Sequence, residues 1–432
     1  MTAKPDKAAL LRGFAALLKK YLGPLVIRGL GAVAMLAMNV LVARQLPADQ
    51  AGIFLWSVAV LMLASVVVRI GTDNSVLKLA SIAFSEGKDD QLYRQQWFSL
   101  FLVGLVSLFV AINAVAVVWL VPFFSEGKRW VLSYMLAAIV PFSLLFLQTR
   151  FLIAARKSSL GIFFSTSAPF IGFILLIFLF PVENAATAAA AFLAVCLVSL
   201  SLALGVFPPG NRPGFPAKAD RREMLLMSRH FWLAAVFSEM IIWVSQILAV
   251  IWCSPDELAW LALGQRIASI VSLPLIAVKS VISPQLASAM SQRDFGGLAR
   301  GLRESSLIGL VIAAPLFVFI VAMPDVLIRM TVGEAYLPAV DLVLICAIGQ
   351  LVNVSAGISG GMLAMTGNEK LLRNIIVGSG ILCVLLSIIL IPIYAAVGAA
   401  LAFSITMVIQ NVAMYLLSRQ FIRTCMKESC HE

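Results

Sequence analysis

Apolar runs of close to twenty residues recur along the whole 432-residue chain, separated by short polar segments. A helix of that length crosses about 30 Å of hydrocarbon. Hydrophobic residues make up 61% of the sequence and charged residues 12%, whereas a soluble domain has about 25% charged residues. The chain therefore requires lipid as its solvent. Its spans must be helices, because open strand edges leave backbone groups unsatisfied in a bilayer.

The runs predict about twelve spans, arranged as two sets of six, and the two sets repeat. Three pairs of segments match at an offset of about 210 residues. They are 47–51 with 255–259, 79–81 with 286–288, and Pro181 with Pro392. Each set contains an even number of spans, so both copies have the same orientation. The predicted fold is an all-α integral membrane protein with two pseudo-symmetric six-helix bundles around a central cavity.

Domain boundaries follow from the runs. We predict an interfacial amphipathic helix at 1–22, an N-terminal bundle at 23–207, a cytoplasmic linker at 208–229, a C-terminal bundle at 230–418 and a cytoplasmic tail at 419–432. The first segment mixes Lys and Arg with Leu and Phe, which is typical of a helix on an anionic leaflet rather than of a cleaved signal.

Loop charges predict the orientation. With the N-terminus inside, cytoplasmic segments hold 24 Lys and Arg residues, and the outer loops hold only Arg44, Lys128, Arg129 and Arg329. Positive charge concentrates on the cytoplasmic side of membrane proteins, so both termini are predicted to be cytoplasmic. The net charge of +11 therefore reflects topology, and no nucleic-acid recognition motif accompanies it.

A charge inside a span is costly and marks a cavity or a partner, and four cationic residues in the predicted spans are candidates for such a site. They are Arg28, Arg69, Arg266 and Lys279. Guanidinium groups bind phosphate oxygens through paired hydrogen bonds, so these residues predict a cationic cavity for a diphosphate. Arg28, Arg69 and Lys279 lie near the inner face, and the alternative for them is extension toward lipid headgroups.

Polar residues in the spans form a second candidate group, in which amides would contact sugar hydroxyls or simply join helices. The amides are Asn39, Gln246, Gln350 and Asn353. Glu239, Trp243 and Gln246 follow helical spacing and predict one polar seam. Glu239 and Asp73 are candidates for ion coupling. The alternative for Glu239 is a salt bridge with Arg266.

The sequence predicts neither an enzyme nor a cofactor or metal site. The two histidines, His230 and His431, have no neighbouring nucleophile arrangement, and the chain lacks a Gly-x-x-x-x-Gly-Lys loop for ATP. Cys425, Cys430 and His431 are too few to predict a metal site.

Five short motifs in order resemble the polysaccharide-transporter branch of the multidrug/oligosaccharidyl-lipid/polysaccharide (MOP) exporter superfamily. They are 43–46 with 52–54, 265–267, 283–287, 333–336 and 366–370. The likeness covers nearly the whole chain. Two departures are Pro47, where the family usually has Gly, and Ser245, where many members carry an acidic residue.

The resemblance implies a flippase in the bacterial cytoplasmic membrane that works by alternating access. Its substrate would be an undecaprenyl-diphosphate-linked oligosaccharide for O-antigen, capsule or exopolysaccharide. Polysaccharide polymerase and chain-length machinery are further candidate partners. Three alternatives stay open: a multidrug exporter of the same superfamily, a membrane glycan polymerase or ligase, and a scaffold that docks enzymes through residues 208–229.

Overall fold

A computed structural model describes residues 7–122, 125–210 and 214–428, and all regular secondary structure in these ranges is helical. The first half contains eight helices. They are α1 (Lys7–Gln45), α2 (Ala48–Val68), α3 (Thr72–Ser85), α4 (Asp89–Leu120), α5 (Glu126–Ala154), α6 (Ser158–Thr166), α7 (Ala168–Leu179) and α8 (Ala185–Val206).

The second half repeats this arrangement with eight α-helices and two short 3-10 turns, Ile270–Ser272 and Glu334–Ala339. The α-helices are α9 (Lys218–Ala249), α10 (Pro255–Ser269), α11 (Leu273–Ser291), α12 (Phe295–Ala322), α13 (Pro324–Thr331), α14 (Val340–Ser355), α15 (Ser359–Met365) and α16 (Glu369–Glu428). The broken pair α2–α3 corresponds to α10–α11, and the long α4 corresponds to α12. The predicted all-α architecture in two bundles is confirmed.

Ten helical segments of the described chain are long and apolar enough to cross a membrane, and α6 with α7, bent by 53°, forms an eleventh candidate. The last of the ten, α16, is interrupted at Ala395, whose φ of 47° and ψ of −129° are not helical. Pro392 lies just before this break. Each arm of α16 is long enough to cross the bilayer, so the described helices accommodate about twelve crossings.

The two halves are in close contact at the end of the molecule where α2 and α10 begin, which we call the sealed end. A Cβ atom on Gly52 would lie 1.8 Å from the carbonyl oxygen of Pro255, so only glycine permits this approach. Arg44 donates to the carbonyl oxygens of Met330 and Thr331. These contacts join α1 and α2 to the opposite half.

Further contacts between the halves run along α2, α3 and α9. The Trp56 indole donates to the Ile247 carbonyl at 3.0 Å, and the Trp232 indole donates to the Val67 carbonyl at 3.0 Å. Between α2 and α3, Gly71 adopts φ 71°, and a Cβ there would lie 2.2 Å from the Ser228 carbonyl oxygen. Together these contacts fix α9 against the first half along its length.

The connection between the halves packs onto the first bundle. The Trp97 indole donates to the Gly210 carbonyl at 2.9 Å, and Phe215 packs edge-on against Phe98 with ring centroids 5.5 Å apart. α9 begins at Lys218, within the stretch that the sequence analysis assigned to a linker. The predicted domain boundaries otherwise stay predictions.

The N-terminal segment continues the first span. α1 runs without interruption from Lys7 to Gln45. Residues 1–6 and the side chains of 7–22 lie outside the described part of the chain, so the interfacial position of residues 1–22 stays a prediction.

Candidate functional site

A cavity of about 640 Å³ lies between the halves and is bounded by α1, α2, α5, α6, α7, α9 and α11. Its volume is within the range of ligand sites, which span about 300–1,000 Å³. We call it the main cavity. Its lining comprises Arg28, Gly31, Ala32, Met35, Met62, Phe142, Phe146, Ser165, Thr166, Phe170, Trp243, Ile276, Lys279, Ser280 and Ser283.

The charged side chains of this lining are both cationic. Arg28 and Lys279 are exposed, and the described lining includes no carboxylate. They come from opposite halves, on α1 and α11. Hydroxyl groups of Ser165, Ser280 and Ser283 add hydrogen-bonding capacity beside them. The charge of the cavity wall therefore favours an anionic ligand.

The rest of the wall is apolar and largely aromatic. Phe142, Phe146 and Phe170 line one side together with Met35 and Met62. Methionine and phenylalanine provide an adaptable apolar surface without hydrogen-bonding demands. The main cavity is thus amphipathic, with cations and hydroxyls next to a hydrocarbon-like wall.

Arg69 lies directly behind this wall. Its guanidinium is 4.7 Å from the centre of the Phe146 ring, its Nε donates to Asp73 at 2.8 Å, and it donates to Ser65 at 3.2 Å. Arg69 is only 4% exposed, so it does not extend to lipid headgroups. Asp73 Oδ1 is buried and has no hydrogen-bond partner. The ion pair therefore fixes the Arg69 guanidinium at the back of the cavity, with its charge balanced by Asp73.

Arg150 on α5 joins the same cluster, a residue that the sequence analysis counted only as a loop charge. It interacts electrostatically with Asp73, Arg69 and Arg28, and its buried Nε has no hydrogen-bond partner. In the sequence, Arg150 lies at the end of an apolar run. That position is typical both of a cytoplasmic loop charge and of a buried charge near a cavity, so the sequence does not distinguish the two roles.

A second charged group is organised by Trp243 on α9. The Arg266 guanidinium lies 4.1 Å from the centre of the Trp243 ring, and the Trp243 indole donates to Glu239 at 2.8 Å. Arg266 and Glu239 also interact electrostatically. The ion pairs of the described residues do not include the alternative of a direct salt bridge between Glu239 and Arg266, and each of the two side chains contacts Trp243 instead. Trp243 brings this group to the wall of the main cavity.

A second cavity, of about 560 Å³, lies within the second half. Lys279 and Glu239 both line it, so Lys279 is shared with the main cavity. Its polar lining also includes Asn353, Gln410 and Asn411. Small residues of the α14–α15 connection, such as Gly357, leave room beside these amides. We call it the amide cavity.

The four predicted amides fall into different environments. Asn353 lines the amide cavity and donates to Gln350 at 3.3 Å, so Gln350 lies behind it. Gln246 is 2% exposed and donates to the Leu55 carbonyl across the interface between the halves. Asn39 is 3% exposed and donates to the Met35 carbonyl of its own helix. The structure thus brings Asn353 to a cavity and buries the other three.

In the described part of the chain, no group of three or more His, Cys, Asp or Glu side chains is placed to hold a metal ion. Cys430 and His431 lie outside the described residues.

Comparison with known proteins places the fold. Residues 234–393 match the MatE family. A structure described as the inward-facing conformation of a multidrug resistance MATE family transporter of the MOP superfamily matches with a TM-score of 0.76 and 12% identity, over 94% of this chain and 99% of that chain. The lipid II flippase MurJ, in an inward closed conformation, matches with a TM-score of 0.75 and 15% identity, over 91% and 87%. No curated protein sequence matches significantly.

A further structure, the outward-facing conformation of a multidrug resistance MATE family transporter, matches with a TM-score of 0.61 and 15% identity, over 95% of this chain and 96% of that chain. The chain therefore has the MATE-like fold of MOP superfamily transporters, in two pseudo-symmetric bundles, and its second half carries a match to the MatE family.

Proposed function

We propose that this protein is a flippase for a polyprenyl-diphosphate-linked oligosaccharide. In this proposal it moves the lipid-linked glycan from the inner to the outer leaflet of the bacterial cytoplasmic membrane, by alternating access and for cell-surface polysaccharide synthesis. Undecaprenyl diphosphate is the proposed carrier lipid. Polysaccharide polymerase and chain-length machinery are the proposed partners that receive the product.

The charge of the main cavity carries the proposal. Arg28 and Lys279 line it without a carboxylate, and Arg69, Arg150 and Arg266 lie behind or beside its wall. A diphosphate carries negative charge that burial among such cations can balance, because charged hydrogen bonds strengthen away from water. The aromatic wall suits the apolar segment nearest the diphosphate.

The amide cavity supports the glycan part of the proposal. Asn353, Gln410 and Asn411 offer donors and acceptors to sugar hydroxyls. Because Lys279 lines both cavities, one ligand could place its diphosphate against Lys279 and its sugars among the amides. The roles of Asn39, Gln246 and Gln350 in this proposal are to position the helices that form the cavity walls.

The contacts at the sealed end support the proposal of alternating access. We assign the sealed end to the outer side of the membrane, which leaves both termini in the cytoplasm. The present state then exposes the cavities inward. Transport would require the contacts of Gly52 and Arg44 to separate and contacts at the opposite end to form. Glu239 is the proposed site of ion coupling, and Asp73, already paired with Arg69, is a secondary candidate.

A multidrug exporter is the second candidate function. The similarity to MATE transporters and the presence of Glu239 in the amide cavity favour it. Cationic drugs need acidic walls, however, and the described main cavity has cations instead. An anionic lipid-linked substrate therefore fits the charge better.

The decisive experiment measures flipping of a labelled diphosphate-linked glycan in proteoliposomes by its protection from an external lectin. We expect Arg28→Gln/Lys279→Gln to reduce the rate about tenfold or more, because each charged hydrogen bond contributes about 1.5–3 kcal/mol. Arg229→Gln is the matched control, since Arg229 is exposed and outside both cavities. It should flip at the wild-type rate.

Two results would contradict the proposal. Wild-type protein that leaves a native-like glycan unflipped, while conferring drug resistance on cells, would favour the exporter. Wild-type protein that extends or transfers the glycan in the same vesicles would favour the polymerase or ligase. Unchanged flipping by the double variant would leave the flippase function in place. It would show that Arg28 and Lys279 do not bind the substrate.

A further inference from the structure

A basic groove lies between the start of α12 and the end of α16, away from the two cavities described above. It comprises two adjoining cavities of about 420 Å³ and 510 Å³ that share Arg419 and Arg423. The first is also lined by Ala299, Leu302, Arg303, Tyr415, Ile422 and Met426, and the second by Leu416, Gln420, Thr424 and Lys427.

The cations of the groove are aligned and available. Arg419, Arg423 and Lys427 recur at every fourth position of α16, so they share one face of the helix. Arg303 faces them from α12, and all four are exposed. The ion pairs between side chains of the described chain involve other residues. Among the side chains that the structure describes, none of these four cations has a carboxylate within ion-pair distance.

The groove lies at the level of a membrane surface. The second arm of α16 carries no charged residue from 396 to 417, a length of about 33 Å that matches the hydrocarbon thickness. Arg419 follows at once. On α12, Arg303 and the exposed Glu304 come just before the stretch at 305–322, which contains no charged residue. Both helices therefore carry their groove cations where lipid headgroups lie.

Apolar surface continues from the cations toward the membrane. Leu416, which precedes Arg419 at the end of the span, is 58% exposed and borders the second cavity, whereas Met426, 44% exposed, lies beyond Arg423 on the side away from the span. The Arg419 guanidinium also lies 5.7 Å from the centre of the Tyr415 ring, which limits its freedom. A cation restrained by an aromatic ring, next to exposed apolar surface, suits a ligand that has an anionic headgroup and a hydrocarbon chain.

We propose that this groove binds the headgroup of an anionic membrane phospholipid. The phosphate contacts Arg303, Arg419 and Arg423, and an acyl chain follows Leu416 into the bilayer. Guanidinium groups on two helices then hold one phosphate through paired hydrogen bonds. Such a lipid would join the end of α16 to α12 and stabilise the second half. The inference is independent of which substrate the transporter moves.

The test uses the full chain in nanodiscs of neutral phosphatidylcholine with increasing phosphatidylglycerol or cardiolipin, and follows the melting temperature. We expect a saturable rise for the wild type. Arg303→Gln/Arg419→Gln/Arg423→Gln should need about tenfold more anionic lipid for the same rise. The control, Lys78→Gln/Arg222→Gln/Arg229→Gln, removes three exposed cations elsewhere and should behave as the wild type.

Several outcomes would overturn the assignment. Equal losses in the two triple variants would show diffuse attraction to the surface in place of a site. An unchanged response of the groove variant would also reject it. If inorganic phosphate raised the melting temperature as much as anionic lipid does, in nanodiscs without anionic lipid, the groove would be a site for a soluble anion. Arg419→Lys/Arg423→Lys keeps the charge but loses the paired hydrogen bonds, so its response should lie between those of the wild type and the glutamine variant.

Discussion

Trp243 brings together the charged side chains of two neighbouring helices in the middle of the second half. Its ring face contacts Arg266 and its N–H bonds to Glu239, so the indole separates groups that would otherwise pair directly. A cation over a tryptophan ring gains about 0.5–2 kcal/mol, more where water is excluded. Arg266 is thereby held near the main cavity while Glu239 faces the amide cavity.

Substitutions at this trio should separate binding from coupling. We expect Arg266→Ala to reduce glycan flipping about tenfold, whereas Arg266→Lys keeps part of the rate because it retains a charge over the ring. Without a proton gradient, the Glu239→Gln variant should flip the glycan at the wild-type rate. With the gradient imposed, its rate should not rise. Flipping assays with and without the gradient test both effects. Normal flipping by Arg266→Ala would give this arginine a structural role, and a normal gradient response of Glu239→Gln would reject coupling there.

Among the elements, the start of α2 against the start of α10 determines how tightly the sealed end closes. Gly52 meets the Pro255 backbone, and α10 begins with a capping box in which Ser254 and Glu257 satisfy each other's backbone groups. Because this cap holds the start of α10 in place, the Pro255 backbone cannot easily move away from a side chain added at Gly52. Small residues such as glycine permit this close approach of helix backbones in membranes.

Gly52→Ala should therefore disfavour the present state. A Cβ placed 1.8 Å from a carbonyl oxygen forces the two helices apart, so the sealed end should open more often. Spin labels on α2 and α10 would show a longer mean distance, and flipping should slow several-fold. Gly205→Ala on α8 is the matched control, because its Cβ meets nothing within 4 Å. Unchanged distances in Gly52→Ala would show that the contact does not control closure.

At the scale of the whole molecule, the two bundles place cations from both halves around one cavity. Arg28 comes from the first half and Lys279 from the second, so relative motion of the bundles changes their separation. Such motion can release a bound anion on the other side. If the protein's own charges move little, the membrane potential acts mainly on the substrate.

An inside-negative potential should therefore accelerate flipping. Each negative charge moved outward gains about 2.3 kcal/mol per 100 mV, so two phosphate charges gain about 4–5 kcal/mol across the whole membrane. Potassium diffusion potentials of both signs, set with valinomycin in proteoliposomes, provide the measurement. We expect the inside-negative sign to raise the rate and the opposite sign to lower it. Equal rates at both signs would indicate that compensating protein charge moves with the substrate.

Much of the architecture followed from the sequence. Run length and composition require about twelve helical crossings, since lipid excludes any other arrangement of these residues. The matched segments predicted two similar halves, because repeated sequence folds into repeated structure. Spacing on a single helix also placed Glu239 beside Trp243, since residues four apart share a face.

The tertiary structure alone decided which polar residues meet. Arg69 is buried against Asp73 and Phe146, although its position near a span end equally permits extension to headgroups. Arg150 joins that cluster, although its sequence context is that of a loop charge. The reason is that hydropathy determines how deep a residue lies. The rotation of each helix, and the neighbours that packing brings to it, determine what its side chain faces.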